Sequence, residues 1–137
     1  MKTFFVTGGA GFVGSTLCEK IIADNESNKL IILDKLTYAG NVKYLKNILH
    51  SKRVKFIKGD LLNSKLYSSF LKNVDVAINV AAESHVDNSF NAPIQFTTNN
   101  TLGTHTFLEN CISSNVKKII HISSDEVYGE KLKGEYL

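Results

Sequence analysis

The sequence holds few of the residues that indicate a disulfide framework, a metal cluster or a membrane segment. Its 137 residues include two cysteines, Cys18 and Cys111, which fall within predicted helices and lack metal-ligand spacing. We therefore expect both thiols to be reduced and buried. No apolar run approaches the length of a membrane span. No secretory signal peptide is expected either, because the first strand begins at Thr3. These absences favour a cytoplasmic protein.

Proline and blocks of like charge are also scarce. The chain has one proline, and we find no linker, repeat or low-complexity tract, so we predict one domain over residues 1–137. The net charge is +3 and the lysines are scattered, which argues against a nucleic-acid partner. A hydrophobic content of 43% with 21% charged residues is ordinary for a globular protein.

The strongest pattern present is the stretch Thr3–Asp34. An apolar run, Phe4–Val6, fits a buried parallel strand and leads into the turn T-G-G-A-G-F-V-G. A helix is predicted over Ser15–Ala23, and a second strand over Leu30–Leu33 ends at Asp34. The glycines of the turn follow a G-x-x-G-x-x-G spacing and are Gly8, Gly11 and Gly14.

This order of elements favours a dinucleotide site. Glycines permit a tight turn and close approach of the backbone to a pyrophosphate, and the helix N-terminus offers N–H groups to the phosphates. Asp34 is placed to accept hydroxyl groups of the ribose. A glycine-rich turn alone is weak evidence, since it could serve only as a turn. Asp34 would repel a 2′-phosphate, which favours NAD over NADP, although Lys35 could partly compensate.

The alternation of strands and helices continues to the end of the chain. Five strands alternating with four helices predict an α/β fold with a right-handed, parallel, doubly wound sheet. Further strands are predicted over Arg53–Lys58, Val74–Ala81 and Val116–Ser123, and further helices over Val42–Leu49, Ser64–Leu71 and Pro93–Ser114.

Ligands of such a sheet bind beyond the carboxyl ends of the strands. Asp60 follows the third strand and fits either an adenine contact or an acid that leads a helix. After the fourth strand, the segment A-A-E-S-H-V-D has small residues that admit a flat ligand, followed by polar ones. Its His85 and Asp87 also fit structural roles. Asn99, inside the long predicted helix, fits packing or water binding equally well.

The densest chemistry follows the fifth strand, in S-S-D-E-V-Y-G at Ser123–Gly129. Neighbouring carboxylates in a cleft repel each other, so one of the two pKa values is expected to rise. The pair would then supply an acid and a base to one reaction. A solvated helix-capping turn explains the same residues equally well.

Four motifs together resemble the dTDP-glucose 4,6-dehydratases of the extended short-chain dehydrogenase/reductase superfamily. They are T-G-G-A-G-F-V-G, D-K-L-T-Y-A-G-N, A-A-E-S-H-V-D and H-I-S-S-D-E-V-Y-G, and the resemblance covers Lys2–Gly129. The glycine motif is common to the superfamily, whereas the paired Asp-Glu is more specific, since related epimerases and decarboxylases usually carry other residues there. The resemblance implies a Rossmann-type NAD-binding domain.

The resemblance also implies a set of site residues. Substrate would meet Ser84 and Ser124, and Ser124 replaces the family's usual threonine. Besides the three glycines, the residues implied in NAD binding are Phe12, Val13, Asp34, Lys35, Leu36, Thr37, Asp60, Leu61, Val80, Ala81, Ala82, Glu83, Ser84 and Thr98.

The implied reaction begins with oxidation of the sugar at C4 by hydride transfer to NAD. The ketone acidifies the C5 hydrogen, which Glu126 would remove, while Asp125 would protonate the departing C6 hydroxyl. The hydride then returns to C6 and gives a 4-keto-6-deoxy sugar. We expect Ser124, Asp125 and Glu126 to form the catalytic set, with no metal ion.

The end of the chain departs from the family pattern. The family's Tyr-x-x-x-Lys pair normally lies further along than Leu137, and Tyr128 does not replace it because Leu132 stands where the lysine would be. We therefore expect a domain truncated after the fifth strand, without the C-terminal substrate-binding region, and little activity from this chain alone. Apolar surface around Ile119, Ile120 and Ile122 is expected to be partly uncovered and to favour self-association.

Two other functions stay open. One is a non-catalytic NAD-binding module that works with a partner, which would bind NAD without converting dTDP-glucose. The other is a different enzyme of the extended family, a 4-epimerase or a nucleotide-sugar decarboxylase, against which Asp125 and Glu126 argue.

Overall fold

The computed structural model describes residues 1–129, except the side chains of Asp125 and Glu126. Within these residues five parallel strands form one sheet in the order β3-β2-β1-β4-β5. This confirms the predicted parallel α/β sheet. The strands are β1 (Thr3–Thr7), β2 (Lys29–Asp34), β3 (Val54–Lys58), β4 (Val76–Asn79) and β5 (Lys118–His121).

Helices flank both faces of this sheet. The α-helices are α1 (Phe12–Asp24), α2 (Ser68–Leu71), α3 (Val86–Asn91), α4 (Pro93–Phe96) and α5 (Thr104–Ser113). A π-helical segment, Thr97–Gly103, joins α4 to α5. Single 3-10 turns occupy Val42–Leu45, Ser64–Leu66 and Asp125–Tyr128. No helix among the described residues has the length and apolar character needed to span a membrane.

Side-chain alternation along the strands produces two cores, one on each face of the sheet. In β1, Val6 packs with Cys18 of α1 on one face, whereas Phe5 packs with Phe107 and Cys111 of α5 on the other. Both cysteines are buried and free, as predicted, and burial raises the pKa of each thiol to about 12. Covered faces on both sides explain why the strands consist of nearly continuous apolar runs.

Several predicted element boundaries are wrong. The helix predicted over Val42–Leu49 is instead a 3-10 turn, Val42–Leu45, which begins where the Asn41 side chain accepts a hydrogen bond from the Lys43 N–H at 2.9 Å. The helix predicted over Ser64–Leu71 is divided between a 3-10 turn and α2. The fourth predicted helix, Pro93–Ser114, is present but contains the π-helical segment.

The last two strands are shorter than predicted, and one helix was missed. Strand β4 ends at Asn79. The Val80 N–H is then shared between the carbonyl and the hydroxyl oxygen of Thr7, at 3.3 and 3.2 Å, and the Ala81 N–H donates to that hydroxyl at 3.2 Å. No helix was predicted over the residues of α3. Strand β5 ends at His121 instead of Ser123.

The strand order reverses between β1 and β4. From β1 the chain runs outward through β2 and β3, then returns to the other side of β1 to form β4 and β5. The carboxyl ends of β1 and β4 therefore border the crevice in which sheets of this type bind ligands.

Candidate functional site

The glycine turn after β1 is packed against the segment that leaves β4. Gly8 has a φ of +66°, and a Cβ atom there would lie 2.7 Å from the backbone N and Cα of Ala81. A Cβ on Gly14 would lie 2.1 Å from the carbonyl oxygen of Gly8. Neither position can hold a larger residue without displacing backbone. Gly11 is less crowded, since its nearest neighbour would be the Gly8 oxygen at 3.3 Å.

The N-terminus of α1 opens from this turn without a protein cap. Its N-cap residue is Gly11, which has no side-chain acceptor, and the first turn contains no acidic residue. The flanking side chains of Phe12 and Val13 are 85% and 57% exposed. The first N–H groups of a helix and the positive end of its dipole suit an anion such as a pyrophosphate.

Asp34 at the end of β2 is fixed by two backbone groups. Its Oδ2 accepts a hydrogen bond from the Ala10 N–H at 2.8 Å, and its Oδ1 accepts one from the Leu36 N–H at 2.7 Å. The residue is 8% exposed. Each carboxylate oxygen retains a second lone pair. Asp34 therefore ties β2 to the glycine turn and keeps acceptor capacity for a hydroxyl group.

Lys35 and Asp60 form an ion pair beside Asp34. The Lys35 Nζ lies 2.7 Å from Oδ2 of Asp60 and donates to Oδ1 of Asn99 at 3.3 Å. Oδ1 of Asp60 accepts a hydrogen bond from the Leu62 N–H at 3.0 Å. Partial burial opposes ionisation of Asp60, but the hydrogen bonds from Lys35 and Leu62 outweigh it and lower the pKa of this carboxyl.

A buried polar network joins the ends of three strands. The Thr7 hydroxyl donates to Oδ1 of Asn79, and both side chains are fully buried. The Asn79 amide donates to the Thr104 hydroxyl at 3.2 Å and lies 3.1 Å from Nδ1 of His121. Because Nδ2 of Asn79 is a donor, His121 accepts through Nδ1. The network fixes the crevice between β1 and β4, and sequence reasoning missed it.

Two asparagines of the π-helical segment hold Glu83. The Asn100 side chain accepts from the Glu83 N–H at 2.7 Å and donates to its carbonyl oxygen at 2.8 Å. The Asn99 amide donates to Oε1 of Glu83 at 3.2 Å. π-helical segments are rare and often occur at functional sites. Asn100 was missed because its partner lies 17 residues away. Asn99, for which packing or water binding was expected, links Lys35 to Glu83.

The structure brings most of the predicted cofactor residues to one edge of the sheet, in the turn after β1 and at the ends of β2, β3 and β4. Leu61 follows Asp60 at this edge, and its side chain is 8% exposed and packs in a core. Thr98 borders an open cleft of about 510 Å³ with Lys35 and Asn99. The residues that follow β2 and β4 at this edge are Leu36, Thr37, Val80, Ala81, Ala82 and Ser84.

The expected catalytic set is only partly described. Ser124 is exposed and follows β5, and Ser84, its expected partner at the substrate, is also exposed. The side chains of Asp125 and Glu126 lie outside the described part of the structure, so their roles stay predictions.

Comparison with protein families gives one match over nearly the whole chain. The family described as GDP-mannose 4,6 dehydratase matches residues 5–136. A dTDP-D-glucose 4,6-dehydratase from Dictyostelium discoideum is 43% identical over 134 residues, which cover 96% of this chain and 31% of that protein. A trifunctional UDP-glucose 4,6-dehydratase from Arabidopsis thaliana is 41% identical over 132 residues, which cover 94% of this chain and 20% of that protein.

A solved structure agrees with the fold. DesIV, a dTDP-glucose 4,6-dehydratase from Streptomyces venezuelae crystallised with NAD and TYD, superposes with a TM-score of 0.91 at 38% identity. The superposition covers 98% of this chain and 43% of that one. The chain thus spans less than half the length of each of these relatives.

Proposed function

Because the chain belongs to the GDP-mannose 4,6 dehydratase family, we propose that it forms the NAD-binding part of a nucleotide-sugar 4,6-dehydratase acting on dTDP-glucose. One observation carries the proposal: the uncapped α1 N-terminus lies beside a turn that requires glycine, and Asp34 is held next to that turn. This arrangement fits a dinucleotide, because it offers donors to a pyrophosphate and a carboxylate to a ribose.

Different residues at the carboxyl ends of the strands would bind different parts of NAD. The N–H groups of Phe12 and Val13 would donate to the pyrophosphate, and Asp34 would accept from the ribose. Asp60, Ala82 and Thr98 would border the adenosine. NAD bound in this way supplies a hydride acceptor and donor. NAD in the DesIV structure and in a Bacillus anthracis dTDP-glucose 4,6-dehydratase supports this assignment.

The substrate role is assigned to residues after β4 and β5. Ser84 and Ser124 would bind the sugar, Glu126 would remove the C5 proton, and Asp125 would protonate the leaving C6 hydroxyl. The more similar relative acts on a dTDP sugar and the next on a UDP sugar. This order favours thymine as the base of the nucleotide sugar.

Titration with NAD tests the cofactor site. Phe12→Asp places a carboxylate in the exposed first turn of α1, where it suits the helix dipole but competes with a pyrophosphate. We expect NAD affinity to fall by at least about tenfold, or about 1.4 kcal/mol. Ile112→Asp, an equivalent apolar-to-acid change at an exposed site near the end of α5, is the control and should leave affinity unchanged.

The outcome separates the candidates. Failure of the unmodified chain to bind NAD would exclude every dinucleotide-dependent function. Binding that Phe12→Asp leaves intact would move the site away from α1. Product analysis with dTDP-glucose and UDP-glucose, on a chain extended to include the Tyr-x-x-x-Lys pair, then identifies the reaction, since a C4 epimer indicates an epimerase. A 4-keto-6-deoxy product indicates a dehydratase, and NAD binding without turnover by that extended chain favours the binding module.

We also propose self-association and a cytoplasmic location. Several large apolar side chains are exposed on the helices after β4, including Phe90 at 80% and Ile94 at 81%, and Ile122 after β5 is 48% exposed. Such surface favours burial against a second copy. The two free, buried cysteines fit a reducing compartment. Sedimentation at several concentrations tests the association, and a monomer throughout would refute it.

A further inference from the structure

We propose that Asp60 determines the preference of the site for NAD over NADP. It binds the Lys35 ammonium and so prevents Lys35 from binding the 2′-phosphate of NADP. This inference rests on the proposed function, in which Asp34 receives the adenosine ribose. NADP differs from NAD by a phosphate on that ribose, so a free cation next to Asp34 would favour NADP. Lys35, the residue that follows Asp34, is positioned in sequence to supply such a cation.

The ammonium of Lys35 is already bound by two acceptors from different parts of the fold. Asp60, which follows β3, contributes Oδ2 at 2.7 Å, and Asn99 of the π-helical segment contributes Oδ1 at 3.3 Å. A charge-assisted contact of 2.7 Å is at the short end of the usual range. These contacts use two of the three N–H donors of the ammonium and fix its position, so Lys35 could move to a phosphate only by leaving Asp60 and Asn99.

Both acceptors are themselves fixed. Asp60 accepts from the Leu62 N–H at 3.0 Å through its other oxygen. Asn99 donates to Glu83, which is 7% exposed and is bound again through its backbone by Asn100. The lysine therefore contacts a preformed pair of acceptors, and the chain of contacts runs from the end of β3 to the end of β4.

The charged groups at the carboxyl ends of β2, β3 and β4 also favour NAD over NADP. Three carboxyl groups, those of Asp34, Asp60 and Glu83, accompany two ammonium groups, those of Lys35 and of Lys58, which is exposed and pairs in register with Asp34. A ribose with free hydroxyls adds no charge there, whereas a 2′-phosphate would meet an excess of carboxylates, with the Lys35 ammonium already bound to Asp60. Removing the Asp60 charge should release Lys35 and shift preference toward NADP.

The test is a double-mutant cycle on the dissociation constants of NAD and NADP. The four proteins are the unmodified chain, Asp60→Asn, Lys35→Gln and the double variant. Asparagine retains the oxygen that accepts from Leu62. We expect Asp60→Asn to improve the NADP/NAD affinity ratio about two- to fivefold, as for an exposed ion pair. In the Lys35→Gln background the same change should alter the ratio less than about 1.5-fold.

Asp75→Asn is the matched control. Asp75 also pairs with a lysine, Lys117, at 2.6 Å, but it precedes β4 and so lies at the opposite edge of the sheet. This variant removes one negative charge and should leave the ratio unchanged. An equal change in Asp60→Asn and Asp75→Asn would show a general charge effect and overturn the inference.

The remaining outcomes separate the inference from the proposed function. If the unmodified chain binds NAD and Asp60→Asn leaves the ratio unchanged, the inference fails alone. The same holds if the gain is equally large in the Lys35→Gln background, since Asp60 would then act by direct repulsion. If the unmodified chain does not bind NAD, the proposed function fails and the inference fails with it.

Discussion

Asp34 and Asp60 follow adjacent strands at the same edge of the sheet, yet the two carboxylates are held in different ways. Asp34 is buried and uses both oxygens to accept from backbone N–H groups, those of Ala10 and Leu36. The Asp60 side chain is 31% exposed, and one of its oxygens accepts from a backbone N–H while the other contacts the half-exposed ammonium of Lys35. The first carboxylate is part of the backbone architecture, whereas the second belongs to a side-chain arrangement that single substitutions can change.

The largest effect is expected from breaking the turn that supplies the Ala10 N–H. A methyl group at Gly14 would lie 2.1 Å from the Gly8 carbonyl oxygen and 2.8 Å from the Gly9 Cα, both backbone atoms. Gly14→Ala should therefore lower the free energy of unfolding by about 3 kcal/mol, the upper end of the range for overpacking. Urea denaturation measures the change.

Gly11→Ala is the control within the same turn. Its added methyl group would meet one atom, at 3.3 Å, and the backbone of Gly11 has a φ of −81°, which any residue adopts. The free energy of unfolding should fall by less than about 1 kcal/mol. Equal losses for the two alanine variants would contradict the account of close packing at Gly14.

A substitution of each acid by its amide sharpens the comparison directly. In Asp34→Asn, an NH2 group would face either the Ala10 or the Leu36 N–H, leaving a buried donor without an acceptor at a cost of about 1–3 kcal/mol. In Asp60→Asn, the retained oxygen still accepts from Leu62, and the loss of an exposed ion pair costs about 1 kcal/mol at most. Denaturation of both variants measures the difference. A larger loss for Asp60→Asn would show that the two carboxylates have been ranked wrongly.

The smallest expected effect is a pH dependence that belongs to Asp60. Although partial burial opposes ionisation, the hydrogen bonds from Lys35 and Leu62 hold its pKa below the usual 3.8. A lowered pKa in the folded state adds stability that is full above the unfolded pKa and is lost as the pH falls through the folded one. The stability difference between the unmodified chain and Asp60→Asn should therefore shrink as the pH falls from 6 to below 3.8. A difference that grows in acid would contradict the lowered pKa.

The parts of the fold that sequence could predict are those set by contiguous residues. The glycine turn, the strands on both sides of α1 and the acid at the end of β2 follow from spacing and apolar runs within Thr3–Asp34. The parallel sheet follows from the alternation of elements. No helix was predicted for V-D-N-S-F-N, the segment that forms α3, and several of its residues are indifferent helix formers.

The polar contacts that complete the candidate site could not be predicted in this way. Thr7 and Asn79 are 72 residues apart, and Lys35 and Asn99 are 64 apart, so no local pattern links them. Asp60 illustrates why contacts between distant residues could not be predicted from the sequence. The sequence left it between an adenine contact and a helix-leading acid, whereas its lysine partner becomes visible only when β2 and β3 lie side by side.

The Thr7 hydroxyl has a consequence for how a ligand would be received. This hydroxyl donates to Asn79 and accepts from the N–H groups of Val80 and Ala81. The ends of β1 and β4 are therefore joined through one oxygen atom. A shift of the end of β1 would thus displace the end of β4, and these two ends border the crevice. This part of the crevice would therefore be preorganised for a dinucleotide, and little conformational entropy would be lost there when the ligand binds.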